Sequence, residues 1–236
     1  MLIHGLQKMT LLDFPGKVAC TVFLGGCDFR CPFCHNSDLL DMNAEPVMDD
    51  EALLTFLKGR KGLLDGVAFT GGEPLLRPDI AELFRKVKAL GYAVKLDTNG
   101  THPDVLLSLI REGLVDYVAM DVKNARERYA ETVGRTRPGD SFEDSMTRIE
   151  KSIAVLLKGL VPYEFRTTVV KEFHDDDSFH GIAEMIKGAD RYFLQCFTDR
   201  DSVLQGGLSA PSRDEMERYA DIVRPFVRDV QIRGMD

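Results

Sequence analysis

From residue 18 to residue 232 short apolar runs alternate with longer amphipathic segments. That alternation restricts the chain to a parallel sheet built from right-handed βα crossovers. Val18–Leu24, Gly66–Phe69, Ala93–Leu96, Tyr117–Met120, Glu164–Val170, Tyr192–Phe197 and Val227–Ile232 read as strands. The spacing predicts helices over Asp49–Leu57, Pro78–Leu90, Pro103–Arg111, Phe142–Leu157, Asp177–Ile186 and Pro211–Ile222. Asp49 suits an N-cap, Pro78 a first helical turn, and Gly91 and Gly113 the stops. Seven strands are too few for a closed eightfold barrel. The expected fold is α/β: an open, partial (β/α)6-type TIM barrel. It forms a single domain over residues 1–236, with a cysteine loop at 25–38 and a C-terminal extension from about residue 198.

At 236 residues and 44% hydrophobic, the chain can bury one sizeable core. A formal charge of −8 and the lack of a Lys/Arg run argue against a nucleic-acid partner. Met1–Gly5 lacks the basic and apolar regions of a signal peptide, and no run reaches the roughly 18 apolar residues of a membrane span. The expected location is cytoplasmic, with no membrane partner. The five cysteines are an odd number, which in a cytosolic chain points away from a disulfide framework.

Unusual polar and glycine-rich motifs follow the predicted strands one after another. They are the cysteine loop, Thr70-Gly71-Gly72-Glu73-Pro74, Asp97-Thr98-Asn99-Gly100 and Asp121-Val122-Lys123. In parallel α/β folds the C-terminal strand edge is where sites are built. Cys27, Cys31 and Cys34 form C-x3-C-x2-C. Three thiolates this close can wrap one corner of a [4Fe–4S] cluster and leave one iron open, as catalytic metal sites keep an open position. Structural zinc, with His35 as fourth ligand, is the competing reading, although adjacent Cys34 and His35 are awkward partners on one tetrahedral ion. Three unliganded thiols would be an oxidation liability. Cys20 and Cys196 lie within apolar strands and read as core residues.

The C-x3-C-x2-C spacing, with Phe33 before the third cysteine, resembles the signature of the radical S-adenosylmethionine (SAM) superfamily. Asp13-Phe14-Pro15-Gly16, Phe23-Leu24-Gly25-Gly26-Cys27 and Cys34-His35-Asn36-Ser37 resemble the start of a glycyl-radical-enzyme activating protein. The likeness is nearest to activators of anaerobic ribonucleoside-triphosphate reductase, and it extends to those of pyruvate formate-lyase. It runs in blocks from about Leu11 to Phe197.

The resemblance implies a [4Fe–4S] cluster on Cys27, Cys31 and Cys34, with SAM chelating the open iron. It implies SAM contacts from Phe33, His35, Gly71, Gly72, Glu73, Asp121, Lys123 and Arg166. Glycine at 71 and 72 would let the backbone approach SAM. Asp97, Thr98 and Asp121 resemble a monovalent-cation site of the pyruvate formate-lyase branch, and hard cations take oxygen ligands. That branch also has a histidine after its sixth strand, where this chain reads Leu194-Gln195-Cys196-Phe197.

The implied reaction is cleavage of SAM to methionine and a 5′-deoxyadenosyl radical, which takes hydrogen from a glycine of a partner enzyme. Such radical chemistry needs no Ser/His/Asp triad or paired carboxylates, and the chain has no signature of either. The resemblance also implies a flavodoxin- or ferredoxin-type electron donor. Rival readings are pyruvate formate-lyase activation, a radical SAM enzyme acting on a small molecule or peptide, and a zinc-stabilised binding module. Partner choice falls to surface loops such as 124–140 and 198–209.

Overall fold

The fold is seen in a computed structural model, which describes residues 1–134, 139 and 141–235. Of the expected partner loop 124–140, residues 135–138 and 140 lie outside the described residues.

The strands are β1 (Leu2–Ile3), β2 (Gly5–Thr10), β3 (Ala19–Leu24), β4 (Met48–Asp49), β5 (Gly66–Gly71), β6 (Ala93–Thr98), β7 (Tyr117–Asp121), β8 (Tyr163–Val169), β9 (Arg191–Cys196) and β10 (Asp229–Arg233). The helices are α1 (Asp50–Lys58), α2 (Ile80–Ala89), α3 (Pro103–Arg111), α4 (Tyr129–Val133), α5 (Phe142–Leu156), α6 (Asp176–Met185) and α7 (Arg213–Val223). One sheet runs β10-β9-β8-β7-β6-β5-β3-β2. From β3 to β10 every pairing is parallel, which gives the open partial barrel. β10 pairs with β9 as the outermost strand, so the C-terminal extension belongs to the same sheet.

Local signals account for most boundaries. Asp49 accepts from Ala52 N–H at 2.8 Å and starts α1. Ser141, Asp175 and Ser212 each close a capping box at the start of α5, α6 and α7. Three strands and one short helix were not expected from the sequence. β2 pairs antiparallel with β3, from Gly5↔Phe23 to Thr10↔Ala19, with an irregularity between Gln7 and Thr10. Its sequence Gly-Leu-Gln-Lys-Met-Thr has no apolar run because it is an edge strand with little to bury. β1 and β4 are two-residue strands paired antiparallel, and α4 is five residues long, all shorter than any periodicity can reveal.

The core lies between the sheet and its outer helices. Phe69 of β5 packs on Phe84 of α2 with ring centroids 4.6 Å apart, and Phe179 of α6 stacks on Tyr219 of α7 at 4.3 Å. Strand alternation separates this core from the barrel interior. On β6, Val94 and Leu96 are buried in the apolar core, whereas Lys95 and Asp97 line an interior cavity of about 1050 Å³. The cavity also meets Glu164 and Arg166 of β8, Gln231 and Arg233 of β10, and Leu11 and Leu12 after β2. The cavity is thus polar and charged along the strands, and it extends to Arg213, Met216 and Glu217 of α7 and to Arg224 just after it. Among the described residues no helix is long and apolar enough to cross a membrane.

Candidate active site

Above the interior cavity, at the C-terminal strand ends, is a second cavity of about 240 Å³. It is lined by Cys27, Cys31 and Cys34, together with Phe33, His35, Gly71, Gly72, Asp97, Thr98, Asp121, Lys123 and Arg166. The strand ends therefore bring together every residue of the expected site except the Glu73 side chain. Asp97, Arg166 and Gln195 line both cavities and so form the boundary between them.

The cysteine loop is held by backbone crossings. Gly26 N–H donates to Leu39 O at 2.7 Å, Gly72 N–H to Leu24 O at 2.8 Å, and Glu73 N–H to Gly26 O at 2.7 Å. A Cβ on Gly72 would overlap the Gly26 carbonyl, and Gly71 has φ +113° with the Leu24 backbone against it. What these two glycines admit at such close range is thus the chain's own β3 end. Asn36, next to the cysteines in sequence, adds a bond from Nδ2 to Gly71 O at 3.1 Å.

Glu73 has its side chain turned away from the cavity, which leaves the expected backbone contact of this motif untouched. Its carboxylate is 0% exposed. It accepts from Leu75 N–H at 3.0 Å, Thr98 Oγ1 at 2.9 Å and Asn99 N–H at 2.7 Å. Burial pushes this carboxyl up to about 7, against the downward pull of the Asn99 and Leu75 N–H donors. Glu73 is a clamp between the ends of β5 and β6.

A network that sequence reasoning missed ties the β6 end to the cysteine loop. Asp28 Oδ2 accepts from Thr101 Oγ1 at 2.7 Å and lies 2.8 Å from His102 Nε2. Asn99 Nδ2 points at Cys27 Sγ from 3.9 Å, and Phe29 N–H donates to the same sulfur at 3.4 Å. The Asp97-Thr98-Asn99-Gly100 motif was the available signal for Asn99; nothing local marks Asp28 or His102.

The other half of the rim is electrostatic. Arg166 bridges Asp121, through Nε at 3.1 Å, and Asp97, through Nη1 at 3.3 Å. Lys123 Nζ holds Asp121 Oδ2 at 2.8 Å, and Lys95 holds Asp97 Oδ1. Burial alone would raise Asp121, but Lys123 and Arg166 outweigh it and hold the carboxyl at about 2. Asp97 is likewise held below its ordinary value because Arg166 and Lys95 overcome its burial. Behind Lys123, Tyr129 OH accepts its N–H at 3.2 Å and His174 Nε2 lies 2.8 Å from its carbonyl oxygen. Burial pushes the His174 imidazole down, so it donates here as the neutral ring.

The donor set fits an iron–sulfur cluster. Burial raises the thiols of Cys27 and Cys34 and pushes Cys31 up to about 12, so as thiolates they require a positive partner. His35 does not join them. Its ring stacks on Phe197 with centroids 5.5 Å apart, and its Nε2 lies 2.7 Å from Thr198 O. Among the described residues no three or more His, Cys, Asp or Glu side chains converge on a single metal ion. Cys20 is fully buried in the core as expected, whereas Cys196 is only partly buried at the end of β9.

The oxygens expected to hold a monovalent cation do not fit one. Both Asp97 oxygens and both Asp121 oxygens already face Lys95, Arg166 or Lys123. Thr98 Oγ1 donates to Glu73 and accepts from Gly100 N–H at 3.1 Å.

Comparison with known proteins decides the family. Residues 21–184 match the model of the radical SAM superfamily. The chain belongs to the radical SAM superfamily. Membership implies a [4Fe–4S] cluster and SAM. The radical SAM chain is 33% identical to "Putative glycyl-radical enzyme activating enzyme MJ1227" of Methanocaldococcus jannaschii, over 100% of this chain and 97% of that protein. It is 31% identical to the pyruvate formate-lyase-activating enzyme of Clostridium pasteurianum, over 63% of each chain. Among solved structures it resembles Streptococcus suis SuiB bound to precursor peptide SuiA, with a TM-score of 0.70 and 16% identity. That match covers 91% of this chain and 48% of SuiB, so the chain spans about half of that protein, and the likeness is one of fold.

Proposed function

We propose that this radical SAM chain activates a glycyl radical enzyme, and that its partner is an anaerobic ribonucleoside-triphosphate reductase. The observation that carries the reading is the junction of the two cavities at Asp97, Arg166 and Gln195. On the far side of these shared residues lies the 1050 Å³ cavity, large enough for a segment of polypeptide. Leu11 and Leu12 border that interior, and Leu12 is 89% exposed, an apolar lip suited to a protein partner. The full-length similarity to the M. jannaschii protein supports the activase class. The stretch Leu194-Gln195-Cys196-Phe197, where the pyruvate formate-lyase branch has a histidine, holds none, which weighs against that enzyme as partner.

When bound and reduced by one electron from a flavodoxin- or ferredoxin-type donor, the cluster and SAM together supply methionine and a 5′-deoxyadenosyl radical. The chain's own residues orient this chemistry. Cys27, Cys31 and Cys34 would hold the cluster, Asn99 points an N–H at the Cys27 sulfur, and Lys123 and Arg166 would supply cations for the carboxylate of SAM. Phe33 and Phe29 keep the cluster side of the cavity apolar.

The test is electron paramagnetic resonance on the anaerobically reconstituted, reduced protein mixed with SAM and a reductase. A glycyl radical doublet on the reductase supports the reading. A doublet only with pyruvate formate-lyase reassigns the partner, and turnover of a small molecule with no doublet on any partner overturns the activase reading.

A further inference from the structure

Lys95 is the most fully buried cation of the site, at 2% exposure, and no expectation from the sequence included it. It lies on β6 two residues before Asp97, and strand alternation puts both side chains on the barrel-interior face. Its ammonium bonds Asp97 Oδ1 from below, while Arg166 Nη1 holds Asp97 Oδ2 at 3.3 Å. The result is an unbroken sequence of alternating charge, Lys95–Asp97–Arg166–Asp121–Lys123. It provides three cations for two carboxylates.

An alkali ion at this point would meet oxygens that already accept from N–H groups. It would also lie within reach of three fixed positive charges, each repelling it in a buried setting. We propose that Lys95 is the resident counter-ion of the SAM site, a tethered ammonium that fixes Asp97 for Arg166 and makes SAM binding and cleavage independent of any alkali cation. Lys95 is a positioning residue in this account. It faces the interior cavity rather than the SAM cavity and acts through Asp97. The inference rests on the reading of the upper cavity as a SAM site.

The experiment has two arms. In the first, thallium-205 NMR follows Tl⁺, a stand-in for K⁺, on the reconstituted holoprotein, with and without SAM. The wild type is expected to give no saturable signal that K⁺ displaces, and Lys95→Ala, which opens a cation-sized space beside Asp97, is expected to give one. In the second, SAM affinity and 5′-deoxyadenosine formation are measured in potassium, sodium or tetramethylammonium chloride at equal ionic strength. The wild type is expected to change by less than about two-fold between salts, within ordinary screening effects. In tetramethylammonium, Lys95→Ala is expected to raise the KM for SAM about ten-fold or more, as removal of one partner of a buried charge pair does. Potassium or sodium should restore it saturably, and Lys95→Arg should remain indifferent to the salt.

A merely structural lysine would give no alkali-specific rescue. Alkali dependence of the wild type, displaceable Tl⁺ binding by the wild type, or a Lys95→Ala protein unaffected in tetramethylammonium would each overturn the proposal. If Lys95→Ala fails to fold, the wild-type measurements still decide. Absence of 5′-deoxyadenosine in every salt would instead count against the SAM reading, and thallium binding would still test Lys95 by itself.

Discussion

At the ends of β3, β5 and β6 the cavity wall is backbone laid against backbone; at the ends of β7 and β8 it is charged side chains linked across strands. In the first region Gly72 and Glu73 donate to Leu24 and Gly26 carbonyls, and the Glu73 carboxylate gathers three donors. The three bonds to Glu73 are all buried. In the second, Arg166, Asp121 and Lys123 are held by Coulomb attraction, and all three side chains reach the cavity. Backbone crossings suit a rigid cluster loop, because a cluster of fixed shape needs ligands at fixed places. A network with surplus positive charge suits a ligand that brings its own carboxylate.

The largest difference between the two regions is expected at the cysteines. Cys31→Ser is expected to take the reconstituted protein from about four irons per chain to below about one, read by iron assay and visible absorbance. The circular dichroism spectrum should persist, since the charged half does not depend on the cluster. Gly72→Ala drives a Cβ into the Gly26 carbonyl and should cost about 4 kcal/mol in a urea titration, with loss of iron as the loop is displaced.

Arg166→Met separates the two regions. It leaves Asp97 and Asp121 short of a shared cation, costs about 3 kcal/mol, and weakens SAM binding in calorimetry while the iron content stays normal. Loss of iron in this variant would show that the two regions are not independent. Glu73→Gln places an amide donor among three donors and should cost about 2 kcal/mol of thermal stability.

The smallest effect is one of pH. Asp121 binds its proton less readily when folded, at about 2, than at its ordinary 3.8. Its contribution of about 2 kcal/mol is therefore complete above about pH 4 and is lost as the pH falls toward 2. Asp121→Asn should flatten that part of the stability profile; an unchanged profile would mean that Lys123 and Arg166 do not hold the carboxylate.

Much of this was legible in the sequence, unevenly. Parallel strands with one buried face announce themselves as apolar runs, and helices capped by Asp49 or closed by Gly113 carry their punctuation locally. Cys27, Cys31 and Cys34 lie within eight residues, so their joint purpose is written in their spacing. β2 was not legible, since an edge strand buries too little to need an apolar pattern. Glu73 was legible as a member of a motif but not as a clamp, because its three partners become neighbours only when β5 and β6 pair.

The sequence alone determined the alternating architecture, the close spacing of the three cysteines and the strand-end position of each motif, because periodicity, spacing and backbone freedom are local properties. Only the tertiary structure decided that Gly71 and Gly72 make room for the chain itself, that Asp28 anchors to His102, and that Lys95 neutralises Asp97. Arg166 and Asp97 are 69 positions apart, and whether two such charges meet depends on strand register and on which face each side chain takes, both set by packing of the whole sheet.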